Sequence, residues 1–512
     1  MSDKAQITLQ FPMAGLDEAG PYRQQPPFGT VSALNVRPPD VYEARRRGGS
    51  RPGLSTVDAD ETILAPSGNP TVDVNSVTYM DEDVEGNDIR VTEVVRIRSD
   101  EHRYVTSVEW AQKLYIAVPE NMKVYDPLAE GNKVTDWEAE IDPDTSPEDT
   151  KGEVPEDCFL IARYRDRIFL AGDPPHMWYA SRTANPLDWD YGQEDPGRAV
   201  AGMNSEAGTV GEPITAMFAY GDSYLVFGCA NALWRMRGDP AFGGRIDNIS
   251  RTVGIVGPHA WTYGPAGELY FLSANGLMML PPGLDGIPQP ISQMRLPKQL
   301  KGIDPSTNRF VLAYDTLAHG LHIFVTNDID SDDDVAFWYD FGGESFWPVQ
   351  NRTINNERPI SRGFVDSEEE GRKAIFGTVG GPVVAYDSGV LDDAEDPNPR
   401  LASHVTYGPV MLGGSDYRDG MVSELIGVLA DDSNSVRWKI FVGDSAEEAA
   451  KKAIANSGEF ASGTWSSGLN YKSRVRARGK AFCLRVESRF NRSWALENIH
   501  AVVRNLGAMR KY

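Results

Sequence analysis

The sequence predicts a mainly β protein: an extended N-terminal arm (residues 1–75), a β-propeller of about six blades (76–399) and a C-terminal β-sandwich-like domain with one short helix (400–512). Three observations lead to this prediction. Gly and Pro number 49 and 34 in 512 residues, which disfavours a helical bundle. Short apolar strands recur at a regular spacing through the middle of the chain. That period ends near residue 400, where longer strands with a different spacing begin.

The N-terminal arm is predicted from its prolines, which break any long helix or strand. They stand at Pro21, Pro26, Pro27, Pro38, Pro39, Pro52 and Pro66. Such a segment is expected to lie extended on another surface. Its centre is basic, with Arg45, Arg46, Arg47 and Arg51 around a Gly-Gly pair. These candidate contact residues fit phosphate binding or an ordinary charged surface loop.

The propeller is predicted from six repeating units. Their central strands lie near Tyr115, Phe169, Leu225, Tyr270, His322 and Ile375, so successive units are 45 to 56 residues apart. Each central strand follows another β-prone run and precedes a third strand, which leaves room for a fourth. Small twisted sheets at this spacing are typical of a propeller, because each blade covers the face of its neighbour. Six blades is the best count, and five or seven remain open.

An acidic insertion interrupts the fifth unit. It contains Asp328, Asp330, Asp332, Asp333 and Asp334. Like charges at this density are expected to project into solvent. The run resembles the start of a calcium loop but has Asp333 in place of the required Gly and Tyr339 in place of the required Glu. No metal site is therefore predicted.

The C-terminal domain is predicted to contain one helix near Ser445–Asn456, with a Ser cap and two i,i+4 Glu–Lys pairs. A basic strand follows it. Its cations alternate with other residues, which places them on one face of a strand: Lys472, Arg474, Arg476, Arg478 and Lys480. Such a face must contact an anionic partner or be exposed to solvent. An exposed sheet edge whose charges prevent aggregation is an equal alternative.

The net charge is −24, but it is unevenly distributed. Residues 465–512 hold eleven basic and two acidic residues, a net charge of +9, so residues 1–464 carry −33. An acidic total argues against a protein that coats nucleic acid. The opposite charges predict contacts between unlike surfaces, within one chain or between subunits. No signal peptide and no membrane span is predicted.

No catalytic residue, cofactor or metal is predicted. The chain has no nucleophile elbow, phosphate-binding loop or dinucleotide fingerprint. His319 and His322 would need a third ligand to bind a metal. Three cysteines cannot form a disulfide framework and are expected to be buried free thiols. The strand tryptophans are expected to be blade core: Trp110, Trp178, Trp234, Trp261 and Trp338.

Three stretches carry a family resemblance. Residues 34–38 (LNVRP) and 47–54 (RGGSRPGL) resemble the N-terminal arm of bacteriophage tail and packaged-DNA stabilisation proteins. Residues 177–189 (MWYASRTANPLDW) resemble a strand and turn of phage tail-nozzle propellers, with Trp189 expected to fold back onto its blade. Residues 202–228 are similar to those proteins as well. The resemblance covers most of the chain.

This resemblance implies a structural virion protein of a short-tailed phage, assembled in the host cytoplasm and located in the tail. It implies a non-enzymatic homo-oligomeric ring or nozzle of six copies, below the portal and adaptor. Tail fibres are a further implied partner, and DNA is a transient cargo that passes through the ring and is retained until ejection. The acidic insertion is expected to face the channel or its mouth, and the basic strand to dock a neighbouring subunit or the adaptor.

Two other functions remain open, because propellers serve many roles. The first is a glycan-binding protein or glycosidase acting on the host surface. It requires a concave cluster of aromatic side chains and carboxylates at one propeller face. The second is a scaffold propeller that binds peptides.

Overall fold

The fold is mainly β with one α-helix, which confirms the predicted fold class. A computed structural model of the chain describes residues 4–26, 28–63, 71–82, 88–99, 103–142, 149–350, 356–367, 371–386, 402–413 and 418–508. The propeller occupies the middle of the chain, and a two-sheet domain follows it.

The predicted arm contains short strands joined by irregular segments. Those described are β1 (Lys4–Thr8), β2 (Gly15–Leu16), β3 (Gly29–Thr30), β4 (Ala33–Leu34), β5 (Val36–Arg37), β6 (Gly49–Ser50) and β7 (Ser55–Val57). A 3-10 turn lies at Tyr22–Gln24. Residues 64–70 of the predicted arm lie outside the described residues.

A three-stranded sheet follows. Its strands are β8 (Asp60–Ile63), β9 (Thr71–Glu82) and β10 (Asp88–Ser99). β9 and β10 are antiparallel partners, and β8 pairs in parallel with the other side of β10.

Six four-stranded sheets come next, which confirms the six units of the repeat. The first three are β11 (Thr106–Trp110), β12 (Lys113–Ala117), β13 (Lys123–Tyr125), β14 (Val134–Asp136); β15 (Leu160–Tyr164), β16 (Arg167–Ala171), β17 (Trp178–Ala180), β18 (Val200–Ala201); and β19 (Ile214–Tyr220), β20 (Tyr224–Cys229), β21 (Leu233–Asp239), β22 (Phe242–Ser250). All four strands of each sheet pair antiparallel in sequence order, as a propeller blade requires.

The next two sheets follow the same order, and the sixth takes its outer strand from the arm. They are β23 (Trp261–Tyr263), β24 (Leu269–Ser273), β25 (Gly276–Leu280), β26 (Gln289–Pro290); β27 (Asn308–Asp315), β28 (Gly320–Asn327), β29 (Val335–Asp340), β30 (Ser345–Pro348); and β31 (Pro359–Ser367), β32 (Gly371–Thr378), β33 (Val383–Ala385) with β7. β7 pairs antiparallel with β33, so the start of the chain completes the last blade. Further 3-10 turns lie at Pro282–Leu284 and Ser331–Asp333.

The three-stranded sheet completes the ring as a seventh radial sheet. Val74 on β9 packs with Ile375 and Val383 of the sixth blade. On the other side, Val77 packs with Leu114 of the first blade. The sheet therefore lies between the last blade and the first. The repeat pattern missed it because its two long strands lack the aromatic runs and turn spacing of the other units.

The C-terminal domain consists of two sheets. Its elements are β34 (His404–Met411), β35 (Arg418–Leu429), β36 (Val436–Gly443), α1 (Ala446–Ile454), β37 (Ala461–Trp465), β38 (Gly468–Leu469), β39 (Ser473–Gly479), β40 (Ala481–Ser488) and β41 (Leu496–Ala508). One sheet has the order β1-β41-β35-β38, with β39 also paired to β35. The other has the order β37-β36-β40-β34-β4.

The predicted helix is confirmed as α1. The Ser445 side chain accepts a hydrogen bond from the Glu448 amide, and Glu447 and Glu448 pair with Lys451 and Lys452. The buried alanines of α1 pack in one cluster with Phe441. None of the helices in the described ranges has the length and apolar character needed to cross a bilayer. The three cysteines are free and buried, as predicted.

The arm is an integral part of both domains rather than a separate segment. β1 extends one C-terminal sheet beside β41, β4 extends the other beside β34, and β7 completes the sixth blade. Proline leaves only short extended pieces in the arm. Three of them pair with open sheet edges, whereas β2 pairs with β3 and β5 with β6 inside the arm. The pairing with sheet edges joins residues hundreds of positions apart, so local sequence patterns do not show it.

The arm also supplies apolar side chains to a core that the two domains share. Val36 and Leu54 are buried in one cluster with Trp338 of the fifth blade and Trp494 of the C-terminal domain. Phe11 stacks on Trp347 with ring centroids 5.2 Å apart. Because this core is continuous, the propeller and the C-terminal domain pack directly against each other.

Candidate functional site

A cavity of about 620 Å³ lies on the propeller axis. We call it the axial funnel. Its lining comes mainly from β9 and from the first strand of each blade, which together form the innermost layer. The lining residues are 73–75, 106–109, 160–163, 217–219, 258, 259, 261–265, 314, 316, 362–364 and, from β32, residue 372. Its volume is within the usual range for small-ligand sites.

One end of the axial funnel is covered by the segment Arg103–Val105, just before β11. Arg103 donates a hydrogen bond to the carbonyl of Asn308, at the start of the fifth blade. Tyr104 stacks on Phe159, which precedes the second blade, at 6.1 Å. The segment therefore crosses the axis where the innermost strands begin. At the opposite end the lining residues Arg163 and Arg372 are exposed, so the funnel opens there.

The covered end of the funnel holds a buried acid, Asp73, and a largely buried histidine, His259. Ser107 Oγ donates a hydrogen bond to Asp73 Oδ2 (3.1 Å), and His259 Nε2 lies 3.5 Å from Asp73 Oδ1. Burial raises the pKa of Asp73 to about 8. Burial, with Arg362 and Arg309 adding repulsion, lowers the pKa of His259 to about 3. Both side chains are therefore uncharged at neutral pH, because the surroundings penalise either ion.

The wall of the funnel carries an arginine between two aromatic rings. The Arg362 guanidinium lies 4.5 Å from the Trp261 ring centroid and 5.4 Å from that of Phe364. Among the residues that the structure describes, its side chain has no hydrogen-bond or ion-pair partner, and its Nε is buried. Burial first, and the nearby Arg372 second, lower the pKa of Arg362 to about 9.

The aromatic wall is itself held in place. Trp261 stacks on Phe218 with centroids 3.8 Å apart, and Tyr263 meets Trp261 edge-on at 5.3 Å. Trp261 was expected in the blade core, but it is half-buried and lines the cavity. Trp178 and Trp338 are blade core as predicted. The funnel thus provides a concave group of aromatic, acidic and basic side chains.

The funnel residues were missed by sequence reasoning because closure of the ring brings them together from separate units. One local signal was available. Arg362 is the one cation of its strand, β31, and Gly363 follows it. A Cβ at Gly363 would lie 2.6 Å from the Val74 carbonyl oxygen, so glycine allows β9 to approach β31 closely.

The acidic insertion is partly neutralised within the chain. Asp328 pairs with Arg309 (2.7 Å) and Arg103 (3.3 Å). Asp334 forms a bidentate salt bridge with Arg358, with both N–O distances at 2.7 Å, and both side chains are only 8% exposed. The other three aspartates of the insertion are exposed: Asp330, Asp332 and Asp333. The expectation that the whole run projects into solvent is therefore wrong for Asp334, because Arg358 compensates its buried charge.

Asp334→Asn is expected to lower the free energy of unfolding by about 3 kcal/mol, because it leaves the buried Arg358 without its carboxylate. Denaturant unfolding measures this change. Asp333→Asn, an exposed neighbour, is the matched control and is expected to change stability by less than about 0.5 kcal/mol. Equal stabilities for the two variants would show that the Arg358 pair contributes nothing.

The basic strand has the predicted one-sided arrangement. Arg474, Arg476 and Arg478 of β39 are exposed, and the residues between them are buried. Two of the predicted cations have partners on β35: Lys472 pairs with Glu424 (2.5 Å) and Arg478 with Asp419 (3.2 Å). Lys480 is half-buried beyond the end of β39. The sequence showed the alternation but not these acids across the sheet.

The charges of Arg474 and Arg476 can pair with an acidic group of another molecule. Neither has an ion-pair or hydrogen-bond partner within the described ranges. Tyr471, just before β39, is 98% exposed, and Leu469 on β38 is 76% exposed. We call these four residues the basic–aromatic surface. Exposed aromatic and arginine side chains in one place are typical of protein interfaces.

The arm arginines contact this chain. Arg46 forms a bidentate salt bridge with the buried Asp340 of the fifth blade. Its Nη2 lies 2.7 Å from Asp340 Oδ2, and its Nη1 lies 3.3 Å from Oδ1. Arg47 pairs with Asp40 (2.9 Å) and with Glu497 of β41. These contacts fasten the basic turn to both domains.

The remaining two arm arginines differ in exposure. Arg45 is exposed and pairs with Glu43 at 3.0 Å. Arg51 is buried, and its Nε donates to Asn35 Oδ1 at 3.1 Å. Of the four candidate contact residues, only Arg45 is therefore well placed to meet an external phosphate.

The two closely spaced histidines have separate surroundings. His322 is buried, lies 3.3 Å from Asp315 and stacks on Tyr386. His319 is exposed and shares a hydrogen bond with the Tyr314 hydroxyl. Burial lowers the pKa of His322 to about 4. In the part of the chain that is described, no three His, Cys, Asp or Glu side chains are grouped to hold a metal ion.

Comparison with known proteins gives structural matches of low similarity only. No family model and no curated protein matches the chain. Among solved structures, a streptogramin B lyase matches at a TM-score of 0.37 and 9% identity, over 65% of this chain and 96% of that one. Virginiamycin B lyase from Staphylococcus aureus matches at 0.34 and 10%, over 75% and 99%.

A larger protein is also similar. The extracellular domain of the hybrid two component system BT4673 from B. thetaiotaomicron matches at a TM-score of 0.36 and 12% identity over 65% of this chain. The present chain spans 39% of that protein's length.

Proposed function

We propose that the chain is a structural component of a bacteriophage tail. In this proposal, copies assemble into a closed homo-oligomeric ring, most simply a hexamer, below the portal and adaptor. Packaged DNA is held above or within the ring and passes through it at ejection. The role requires no chemical reaction by the protein.

The proposal is supported first by the segments that resemble phage tail proteins. In the second of them Trp189 is buried, and its Nε1 donates a hydrogen bond to the Pro186 carbonyl (3.0 Å), so it folds back onto its blade as expected. In the first, Arg47 pairs with Glu497 of the C-terminal domain, and Arg51 donates a hydrogen bond to Asn35 within the arm. These motifs therefore have structural tasks, which suits a building block.

The observation that carries the proposal is the basic–aromatic surface on an acidic chain. Arg474, Arg476, Tyr471 and Leu469 are exposed together, while the chain carries a net charge of −24. A surface of this kind complements an acidic surface elsewhere on a second copy. When the basic surface of each copy contacts an acidic surface of the next copy around an axis, the contacts close into a ring.

The net negative charge of the chain also fits a channel through which DNA passes. Six copies carry −144 in total, and an acidic wall repels phosphate so that DNA slides without being held. The axial funnel is too small for a duplex and is covered at one end, so the conduit lies between subunits. We place Asp330, Asp332 and Asp333, the free charges of the insertion, at the channel or its mouth. An assembled ring with them on the outer wall would refute this placement.

The double variant Arg474→Glu/Arg476→Glu is expected to abolish ring assembly, because two cations at the subunit contact become two anions facing an acidic surface. Mass photometry of the purified chain, alone and mixed with a portal–adaptor complex, measures assembly. Arg437→Glu, an exposed arginine on β36 of the other sheet, is the matched control and should assemble normally. Wild-type assembly by the double variant would exclude this surface as the subunit contact.

A further inference from the structure

We propose that the axial funnel binds a sugar acid, a monosaccharide unit whose carboxylate pairs with Arg362 and whose ring packs on Trp261. This inference concerns the propeller interior and does not rest on the tail role. If the protein forms rings but binds no sugar acid, the proposed tail role stands and the proposed funnel site does not. If the protein stays monomeric but binds a sugar acid, the funnel site stands and the tail role does not.

The first argument is the charge of the funnel, which is opposite to that of the chain. Its cations are Arg163, Arg362 and Arg372. Against them stand two acids. Glu109 accepts a hydrogen bond from the Thr78 amide, and Asp73 is buried beside Ser107. Asp73 is uncharged at neutral pH, so the lining is net positive. A cleft of one sign concentrates ligands of the other.

The second argument is the unsatisfied arginine. The Arg362 guanidinium lies near the rings of Trp261 and Phe364, and its buried Nε has no hydrogen-bond acceptor among the described residues. A charged group with a buried donor is costly to leave unpaired. A carboxylate offers two oxygens in the plane of that edge and forms paired hydrogen bonds with it.

The third argument distinguishes a sugar acid from a bare anion. The deep end of the funnel offers neutral hydrogen-bonding groups in Asp73, Ser107 and His259 rather than further cations. Hydroxyl groups are suited to such partners. The half-buried Trp261 supplies an apolar face, and Phe218 and Tyr263 hold it in position. An anion with a hydroxylated ring satisfies all three features, whereas inorganic phosphate uses only the cations.

The test titrates the full-length protein with sodium glucuronate, galacturonate and N-acetylneuraminate, followed by calorimetry and tryptophan fluorescence. Glucose and inorganic phosphate are the comparison ligands. At least one sugar acid should bind saturably and at least about tenfold more tightly than either, as expected for a charge-assisted hydrogen-bonded pair. No saturable binding of any sugar acid up to about 10 mM would overturn the proposal. Phosphate binding as tight as the best sugar acid would also overturn it.

Two variants locate the site. Arg362→Gln should weaken binding at least about tenfold, and the exposed Arg372→Gln about threefold. Arg437→Gln on the C-terminal domain is the matched control and should bind as the wild type does. Thermal unfolding verifies that each variant is folded, and Arg372 is exposed enough that its replacement leaves folding unaffected. Undiminished binding by both funnel variants would place the ligand elsewhere and refute the assignment.

Discussion

A chain that lacks residues 1–57 is expected not to fold. Three separate edges lose their partners at once, because β1, β4 and β7 extend two sheets of the C-terminal domain and complete the sixth blade. The shared core also loses Phe11, Val36 and Leu54, each worth about 1.5–3 kcal/mol when buried. Their sum is comparable with the whole stability of an ordinary domain, about 5–15 kcal/mol.

Circular dichroism and size-exclusion chromatography measure this effect, and the truncated chain should aggregate or lack a cooperative thermal transition. A chain that lacks only residues 1–8 is the control. It removes the exposed edge strand β1 and leaves the buried arm residues in place, so it should fold with a modestly lower melting temperature. A wild-type melting temperature for the longer truncation would contradict the integral role of the arm.

Asp73→Asn is expected to stabilise the protein, by an amount that grows as the pH rises. The folded-state pKa of Asp73 is about 8, above its ordinary value of 3.8, because the side chain is buried. Below about pH 4 both states hold the proton and the substitution has little electrostatic effect. As the pH rises towards 8, the unfolded wild type releases its proton while the folded protein retains it, so the wild type loses stability. Asn has no proton to release.

The largest difference is expected near pH 8 and above, on the order of 5–6 kcal/mol, because the folded-state pKa lies about four units above the ordinary value and each unit corresponds to about 1.4 kcal/mol. Denaturant unfolding of both proteins at pH 5, 6, 7 and 8 measures it. Asp81→Asn, an exposed position on the same strand, is the control and should change stability by less than about 0.5 kcal/mol at every pH. A difference for Asp73→Asn that stays constant or shrinks with rising pH would contradict the neutral buried state of this acid.

The six blades could be predicted because their signal is local. Each unit repeats an apolar second strand, such as those at Phe169 and Ile375, followed by a third strand a short distance along the chain. The helix α1 was equally local, since its cap and its Glu–Lys pairs lie within one short segment. The seventh sheet was not predicted, because β9 and β10 form one long hairpin that lacks the strand pattern of the repeat.

The long-range features could not be predicted. The arm strands pair with edges hundreds of residues away, and no periodicity marks such partners. The same applies to charges: the alternation around Arg474 and Arg476 is visible in the sequence, but Glu424 and Asp419 lie on another strand. The axial funnel is the extreme case, because Asp73, His259 and Arg362 meet only when the ring of blades closes.

Electron microscopy of the full-length protein, alone and on a portal–adaptor complex, tests the proposed role most directly. The expected result is a closed ring of copies with a central opening wide enough for duplex DNA and with Arg474 and Arg476 in the subunit contact. A chain that remains monomeric in both preparations, or a ring whose opening cannot admit a duplex, would contradict it.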